Sequence, residues 1–325
     1  LPMPTPSFSR IFLTHDIDSI EQYRHWRGAL GGILRGKVRE VLQQHDEYVK
    51  TKPKNDEQHN ARGEEYVGEV RLGMENCCQV SGNAEVYKAL LKAQEELGVA
   101  IKIKPISCVG ACNQIPLIDV VDKSGKITRY PNIRPKEVKE ILLHHFPSAS
   151  PLRRLKNAFL NQVDMFHTDE TWDNILWKPE KERTGEINNF LNIQKRISTE
   201  GYGIISPLDI DEYISNGGFE ALKKSLHNDN KNAIIESVLQ SGLRGRGGGG
   251  FLTGRKWKMV ADATSQEKYV ICNGDEGDPG AFMDRILLES YPLRVIEGML
   301  IAGVAAGSDE GYIYVRAEYP LAVER

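Results

Sequence analysis

Glycine and basic side chains are mixed densely between Gly242 and Trp257, where seven of sixteen residues are glycine and four are Arg or Lys. Glycine loses more conformational freedom on folding than any other residue, so this density disfavours a packed helix or strand. It favours a loop whose backbone N–H groups approach a phosphate or a flat ring closely. We call residues 245–251 the Gly loop.

Two common glycine motifs do not explain this loop. A Walker loop would end in Gly-Lys-Ser/Thr, and that ending is missing from the sequence. Residues 245–250 fit the pattern G-x-G-x-x-G, but a run of glycines fits it by default and no strand pattern leads into it. The sequence therefore predicts close approach of a ligand to the backbone without fixing the class of motif.

A second group of chemically capable residues follows the segment 268–272, which predicts a short buried strand. Residues 273–280, here called the acidic loop, contain one asparagine and three carboxylates. Open α/β sheets bind ligands beyond the carboxyl ends of their strands. We therefore expect this loop to supply acceptors for ribose or flavin groups, while the Gly loop supplies N–H donors and cations for phosphates.

The five cysteines form one adjacent pair, Cys77-Cys78, one Cys-x-x-x-Cys pair, Cys108 and Cys112, and the single Cys272. This spacing is a poor disulfide framework and a better set of metal or cluster ligands. The competing interpretation, four small buried hydrophobic residues, does not account for the Cys-x-x-x-Cys spacing. Cys272 follows apolar strand residues, and we expect it to pack in the core.

The elements that position these residues form two groups. Residues 61–148 predict the order β, α, β, β, β, α, with Asn83 as the N-cap of the first helix and Gly98 as its end. Residues 201–325 predict helices alternating with strands, and this alternation implies a parallel sheet. The predicted strands are 66–72, 100–106, 116–121, 126–130, 268–272 and 311–317, and the predicted helices are 84–97, 135–146, 207–217, 219–226, 231–240 and 285–307.

Bulk properties exclude some classes of function. The net charge is −3 with 27% charged residues, which gives no electrostatic case for nucleic-acid binding. No apolar run reaches the roughly 18 to 20 residues of a membrane span, and the mean hydropathy is −0.42. No signal peptide is visible, so we expect a cytoplasmic protein. The chain begins at Leu1 and stops at Arg325 within a periodic pattern, and we interpret it as part of a longer protein.

The Gly loop and the acidic loop, with the segments 281–285 and 312–319, resemble the NADH-binding flavoprotein subunit of respiratory complex I. They resemble still more closely its counterpart in NAD-linked and electron-bifurcating hydrogenases. The resemblance covers about residues 185–325, and a weaker one covers about 65–147. It implies an α/β protein with a small thioredoxin-like domain at 61–148, a connector at 149–200 and an FMN/NADH-binding domain at 201–325 that is incomplete at its C-terminus. Residues 1–60 stay unassigned.

The resemblance implies that the subunit is an NADH dehydrogenase of the diaphorase type. It would pass a hydride from NADH to FMN and electrons on to iron–sulfur clusters. The expected partners are NADH and other subunits of a ferredoxin-like or hydrogenase-type electron-transfer complex. The four-cysteine [4Fe–4S] site of this family is expected in a part of the protein beyond Arg325.

By this resemblance, Arg246, Lys256 and the Gly-loop amides hold phosphates, and Phe251 stacks on a ring. Asn273 and Asp275 contact the flavin, and Asp278 lies near the nicotinamide. Simpler roles remain open: a surface cation for Arg246, loop packing for Phe251 and a turn acceptor for Asp278. The full predicted cofactor-binding set is Gly245, Arg246, Gly247, Gly248, Gly250, Phe251, Lys256, Asn273, Asp275, Glu276 and Asp278.

In the thioredoxin-like [2Fe–2S] domain of this family, one pair of ligands has the spacing of Cys108 and Cys112. An earlier pair lies before the first helix, where Cys78 matches the second ligand and Gly73 occupies the place of the first. The resemblance therefore implies the metal ligands Cys78, Cys108 and Cys112, with Cys77 as candidate fourth. The alternative is a domain that has lost its cluster and serves for docking, within a non-catalytic scaffold.

A third hypothesis concerns the N-terminal residues alone. The segment 11–18 predicts a strand that ends in His and Asp. It faintly resembles the first metal-binding strand of polysaccharide deacetylases, although a solvated strand end explains the same residues. The other ligands that such an enzyme needs are not evident in residues 1–40.

Overall fold

The computed structural model describes residues 10–14, 65–146, 187–227 and 231–325, which divide between two compact units. The central unit comprises Pro53–Ser206. The C-terminal unit comprises Pro207–Arg325 together with Leu1–Lys52, from which the structure describes one strand, β1 (Arg10–Thr14). The predicted strand 11–18 is thus present in its first part, and its His and Asp residues lie outside the described residues.

The central unit is built around one mixed sheet. The elements are β2 (Gly68–Gly73), α1 (Asn76–Cys78), a π-helical turn (Gln79–Asn83), α2 (Ala84–Leu97), β3 (Ile101–Ile106), β4 (Ile118–Asp122), β5 (Ile127–Tyr130) and α3 (Val138–His145), with single 3₁₀ turns at Cys112–Gln114 and Pro135–Glu137. The strand order is β3-β2-β4-β5. Strand β2 is parallel to β3 and antiparallel to β4, and β4 is antiparallel to β5.

Helix α2 forms where the sequence predicts it. Its buried residues recur every three or four positions, and Gly98 ends it in the left-handed conformation at φ 60°. The predicted N-cap is wrong, however. The chain enters α2 from the π-helical turn without a free N-terminus, and the side chain of Asn83 instead donates to the carbonyl of Gly73 (2.7 Å) and accepts from the N–H of Leu117 (3.2 Å).

The C-terminal unit is an α/β structure. Its further elements are α4 (Ile210–Ser215), α5 (Glu220–His227), α6 (Lys231–Gln240), α7 (Thr253–Asp262), β6 (Tyr269–Gly274), α8 (Met283–Ser290), α9 (Pro292–Ala306), β7 (Glu310–Val315) and α10 (Pro320–Glu324). The three strands form a sheet in the order β1-β7-β6, parallel throughout as predicted. In the described ranges, no helix is long and apolar enough to cross a bilayer.

Two sequence predictions in this unit are wrong. The single helix predicted at 285–307 is two helices that meet at Tyr291, because Pro292 lacks an N–H and disfavours helical geometry in the residue before it. Strand β6 is not buried on both faces, since Tyr269 is 46% exposed and Ile271 is 66% exposed. Its alternate residues, Val270 and Cys272, pack against the core, so Cys272 is a half-buried neighbour of the core rather than an interior residue.

Candidate functional site

The Gly loop is closed at its base like a hairpin. Arg244 and Leu252 form an isolated antiparallel bridge. The N–H of Gly245 donates to the carbonyl of Phe251 (2.8 Å), and the guanidinium of Arg244 donates to the carbonyl of Gly250 (2.9 Å). These bonds fix the two ends of the loop and leave the middle glycines projecting from the protein.

The middle of the loop is open on its surface. Gly248 and Gly250 have φ values of +91° and +57°, which side chains rarely adopt. A Cβ atom built on any residue from 247 to 250 would meet no atom within 4 Å. Glycine is therefore not needed here for packing within the protein. It leaves the backbone bare for something that approaches from outside.

Helix α7 begins at the end of this loop, and no side chain caps its N-terminus. The helix packs closely on α6, because a Cβ on Gly254 would lie 2.6 Å from the backbone nitrogen of Leu239. This contact fixes the helix terminus behind the loop. The N–H of Thr253, the first residue of the helix, donates to the carbonyl of Leu243 (2.9 Å), which leaves the N–H groups of Gly254 and Arg255 for an anion at this terminus.

Cations and one aromatic ring surround the same terminus. Lys256 is exposed and makes no ion pair with any described residue, whereas Lys258 pairs with Asp262 at 3.2 Å. Phe251 is 49% exposed, and the guanidinium carbon of Arg255 lies 5.9 Å from its ring centroid. Arg246 is also exposed. The predicted phosphate and ring contacts of these residues are thus sterically available and remain predictions.

The acidic loop starts on the last two residues of β6. Asn273, predicted as a loop residue, pairs with Tyr314 in the sheet, and its side-chain oxygen accepts from the N–H of Asp275 (3.0 Å). Asp278 is exposed, and its carbonyl accepts from the N–H of Ala281 (3.1 Å) in a turn. The turn explanation for Asp278 involves its backbone only, so its carboxylate stays available.

Glu276 has a structural task in this loop. Its two carboxylate oxygens accept the N–H groups of Asp284 (2.9 Å) and Arg285 (3.1 Å) in the first turn of α8. It holds a left-handed φ of +46°. The carboxylate therefore caps α8, and a contact with a cofactor would have to share oxygens that already have partners.

The segment that follows β7 holds the acidic loop in place. Arg316 donates to the carbonyl of Glu276 (3.0 Å) and makes a two-point ion pair with Glu318, both bonds at 3.0 Å. The guanidinium carbons of Arg316 and Arg285 lie 5.6 and 5.7 Å from the ring centroid of Tyr319. The segment 312–319 carried the family resemblance without an assigned role, and the structure gives Arg316 and Tyr319 the role of positioning residues.

Neighbouring carboxylates influence the pKa values of Asp284 and Cys272. Burial, and next the charge of Glu276, raise the pKa of Asp284. Burial, and next the charge of Asp284, raise the pKa of Cys272 to about 11. No hydrogen bond or ion pair joins the acidic loop to the Gly loop in the part of the chain described here. Each loop is therefore held in place by its own contacts and not by contacts with the other loop.

Comparison with known proteins identifies this region. Residues 238–325 match the sequence family described as the Nuo51 FMN-binding domain. This stretch contains both loops and the segment after β7. Residues 238–325 are thus similar to an FMN-binding domain of this family.

Three known proteins are similar to this part of the chain. The chain is 48% identical over 132 residues to the "NADP-reducing hydrogenase subunit HndC" of Solidesulfovibrio fructosivorans, covering 41% of this chain and 26% of that protein. It is 50% identical over 111 residues to a subunit of the NADH-quinone oxidoreductase of Aquifex aeolicus, covering 34% and 26%. It is 55% identical over 86 residues to the "NAD-reducing hydrogenase HoxS subunit alpha" of Cupriavidus necator, covering 26% and 14%.

These matches confirm the predicted relationship to the flavoprotein subunits of complex I and of NAD-linked hydrogenases. The chain spans about a quarter or less of the length of these relatives.

Outside the FMN-binding domain, the central unit brings together three of the four predicted metal ligands. Hydrogen bonds with Cys108 and Cys77, and then burial, raise the pKa of Cys78. The hydrogen bond with Cys77, together with burial, raises the pKa of Cys108, although the hydrogen bond with Cys78 lowers it. Cys112 is exposed, and the group of ligand atoms that could share a metal ion does not include it. Cys112 lies on a separate 3₁₀ turn, and its role as a cluster ligand stays a prediction.

Glu75 joins this group and was missed from the sequence. It is 0% exposed, and its Oε2 lies 3.6 Å from Sγ of Cys78. A Cβ on Gly73 would lie 3.2 Å from that oxygen and 3.3 Å from that sulfur. Gly73, which stands where the family has a ligand, thus lies beside Glu75 and Cys78. The carboxylate of Glu75 is the side chain near Gly73 that could bind a metal ion.

These residues do not fit a [2Fe–2S] cluster. Four thiolates normally hold such a cluster, and the group found in the described residues has two thiols and one carboxylate, with the thiol of Cys77 nearby. Glycine at position 73 supplies no ligand atom, and Cys112 lies outside the group. We therefore assign no electron-transfer step to this unit.

Proposed function

We propose that this protein is the NADH-oxidising, FMN-binding part of a diaphorase-type subunit. The C-terminal unit would bind FMN and NADH between the Gly loop and the acidic loop. The observation that carries this proposal is the bare, fixed backbone of residues 247–250 at the N-terminus of α7, within the FMN-binding domain. An exposed glycine run without internal packing is otherwise a cost to folding.

Bound FMN would supply the chemistry of accepting a hydride from NADH and releasing electrons singly. The chain contributes binding and orientation. Gly-loop amides, Arg246 and Lys256 hold phosphates, since Lys provides a point charge and Arg a planar fork. Asn273 and Asp275 fix the ring system, and Asp278 lies toward the nicotinamide. Glu276, held by Tyr319 and Arg316, keeps the acidic loop in position.

Electrons would then pass to iron–sulfur clusters in other parts of the protein or in partner subunits, including the [4Fe–4S] site that the family implies. The proposed setting is a cytoplasmic electron-transfer complex of the hydrogenase or quinone-reductase kind. We further infer a thioredoxin-like fold for the central unit, supported by its βαβ segment followed by two antiparallel strands and a helix in one sheet. A scaffold without catalysis is disfavoured by the intact Gly loop.

The test replaces Gly247 by alanine in the full-length protein and follows FMN binding by the quenching of flavin fluorescence. Gly247 has no left-handed φ, and its Cβ would meet nothing, so the variant keeps its fold. Gly298, on an exposed position of α9 where a Cβ also meets nothing, provides the control Gly298→Ala. We expect at least tenfold weaker binding for Gly247→Ala alone. Equal affinities, or no FMN binding by the unchanged protein, would refute the proposal.

A further inference from the structure

The strongest unassigned feature is the buried group of Glu75, Cys78 and Cys108, whose ligand atoms all lie within 4.8 Å of one another. Strands β2 and β3 are parallel neighbours, with Gly73 paired to Ile106 at their carboxyl ends. Glu75 and Cys78 follow the first strand, and Cys108 follows the second. The topology therefore brings these side chains to one edge of the sheet.

The loop that carries Cys108 is fixed on both sides. The N–H of Ser107 donates to the carbonyl of Ile205 (3.2 Å), and its hydroxyl accepts from the N–H of Gly203 (3.2 Å). Arg196 donates to the carbonyl of Val109 (2.8 Å). The sulfur itself accepts the N–H of Gly110 at 3.2 Å. Such a loop presents its thiol with little freedom, as a metal site requires.

The distances match ligands around one ion. A tetrahedral Zn²⁺ with Zn–S of about 2.3 Å and Zn–O of about 2.0 Å places a sulfur and an oxygen ligand about 3.5 Å apart. The observed separation between Sγ of Cys78 and Oε2 of Glu75 is 3.6 Å. In a [2Fe–2S] cluster, the ligands divide between two irons and span a larger group.

The types of donor atom also fit this ion. Thiolates with a carboxylate suit a borderline-soft divalent cation.

We propose that the central unit binds one Zn²⁺ through Glu75, Cys78 and Cys108 in place of a [2Fe–2S] cluster. The site goes beyond the proposed function of the C-terminal unit. Because Zn²⁺ is redox-inert, the site would carry no electrons. It ties the segment after β2 to the loop after β3, across the edge where the sheet ends.

Metal analysis of the full-length protein tests the site. We expect one zinc per chain and, after exchange, a thiolate-to-cobalt charge-transfer band with tetrahedral d–d bands from Co²⁺. Cys108→Ser should abolish the cobalt bands, and Glu75→Gln should raise the zinc dissociation constant at least about tenfold. Cys112→Ser is the matched control, because Cys112 is exposed and outside the group, and it should bind metal like the unchanged protein.

Two results would overturn the site. One is two irons and two sulfides per chain, with loss of the cluster in Cys112→Ser and its retention in Glu75→Gln. The other is unchanged protein that binds neither zinc nor cobalt in stoichiometric amount. Both results are read on the unchanged protein first, so a variant that fails to fold does not decide the outcome. FMN binding is a separate readout, which distinguishes failure of this site from failure of the proposed function.

Discussion

The phenol of Tyr319 donates to Oε2 of Glu276 at 3.2 Å, across 43 positions of sequence. The two residues follow different strands, β7 and β6, which are parallel neighbours. The same carboxylate caps α8, so one side chain links the acidic loop, the next helix and the segment after the neighbouring strand. The predicted flavin and nicotinamide contacts depend on a loop that is held from behind.

Glu276→Ala should therefore lower the free energy of unfolding by about 1–2 kcal/mol, the usual cost of losing a helix cap. Urea denaturation measures this loss. Asp278→Ala in the same loop is the control, since Asp278 is exposed, and should change stability by less than about 0.5 kcal/mol. Asp278→Ala should instead weaken NADH binding. The reverse pattern of stabilities would contradict the capping role.

Lys256→Ala should weaken FMN or NADH binding by about 10- to 150-fold, because a charge-assisted phosphate contact contributes about 1.5–3 kcal/mol. Its neighbour on the same helix, Lys258, is engaged with Asp262 at 3.2 Å. Lys258→Ala should cost only about 0.3–0.5 kcal/mol of stability and leave affinity unchanged. Fluorescence titration of both variants measures these affinities. Equal cofactor affinities of the two variants would contradict the assignment of Lys256 to the binding site.

Gly254→Ala should destabilise the C-terminal unit by about 1–3 kcal/mol, since the new Cβ would overlap the backbone of Leu239 and push α7 away from α6. Gly298→Ala, at an exposed helical position with free space, should stabilise by about 0.5–1 kcal/mol. Thermal or urea unfolding measures both. If Gly254→Ala proved as stable as the unchanged protein, the close contact of the two helices would be wrong.

Cys272 should react with iodoacetamide slowly and with a distinctive pH dependence. Its pKa of about 11 lies above that of an ordinary thiol, so at pH 8 its thiolate fraction is roughly 200-fold lower than for a thiol of pKa about 8.5. The reactive thiolate appears only as pH rises, and the rate should climb tenfold per unit up to about pH 9.5. Mass spectrometry of the modified peptide follows this rate.

The control for this thiol is Asp284→Asn, which removes the negative charge that helps to raise the pKa of Cys272. The variant should react faster at about pH 8. A rate that levels off near about pH 8.5 in the unchanged protein would show an ordinary thiol and contradict the raised value.

Helix and strand order followed from sequence wherever periodicity was strong, as in the helix at Lys231–Gln240, which occurs with the predicted bounds. The break before Pro292 had a readable signal, because proline disfavours helix in the preceding residue. The exposed face of β6 had no such signal in the sequence. Apolar residues in succession look the same whether one face or both faces are covered, and only the sheet order decides.

Site residues divided in a similar way. The Gly loop could be predicted from composition, because a run of glycines indicates an exposed loop without reference to distant residues. Glu75 could not be found, because a single Glu after a strand is usually solvated, and its burial depends on side chains about thirty positions away. The capping role of Glu276 required the position of α8. The position of Cys112 could not be predicted either, because the Cys-x-x-x-Cys spacing does not fix which side of a loop a thiol faces.

Strand β1 pairs with β7 at a sequence separation of 300 residues, Arg10 opposite Glu310. At about 5–20 residues per second of synthesis, a strand made first waits roughly 15–60 s for its partner. Until then its backbone N–H and C=O groups have no place in that sheet, and long-range pairing of this kind is slow and prone to aggregation. The sheet of the C-terminal unit can therefore form only after β7 has been synthesised. The yield of folded protein should depend on chaperones that shield nascent chains.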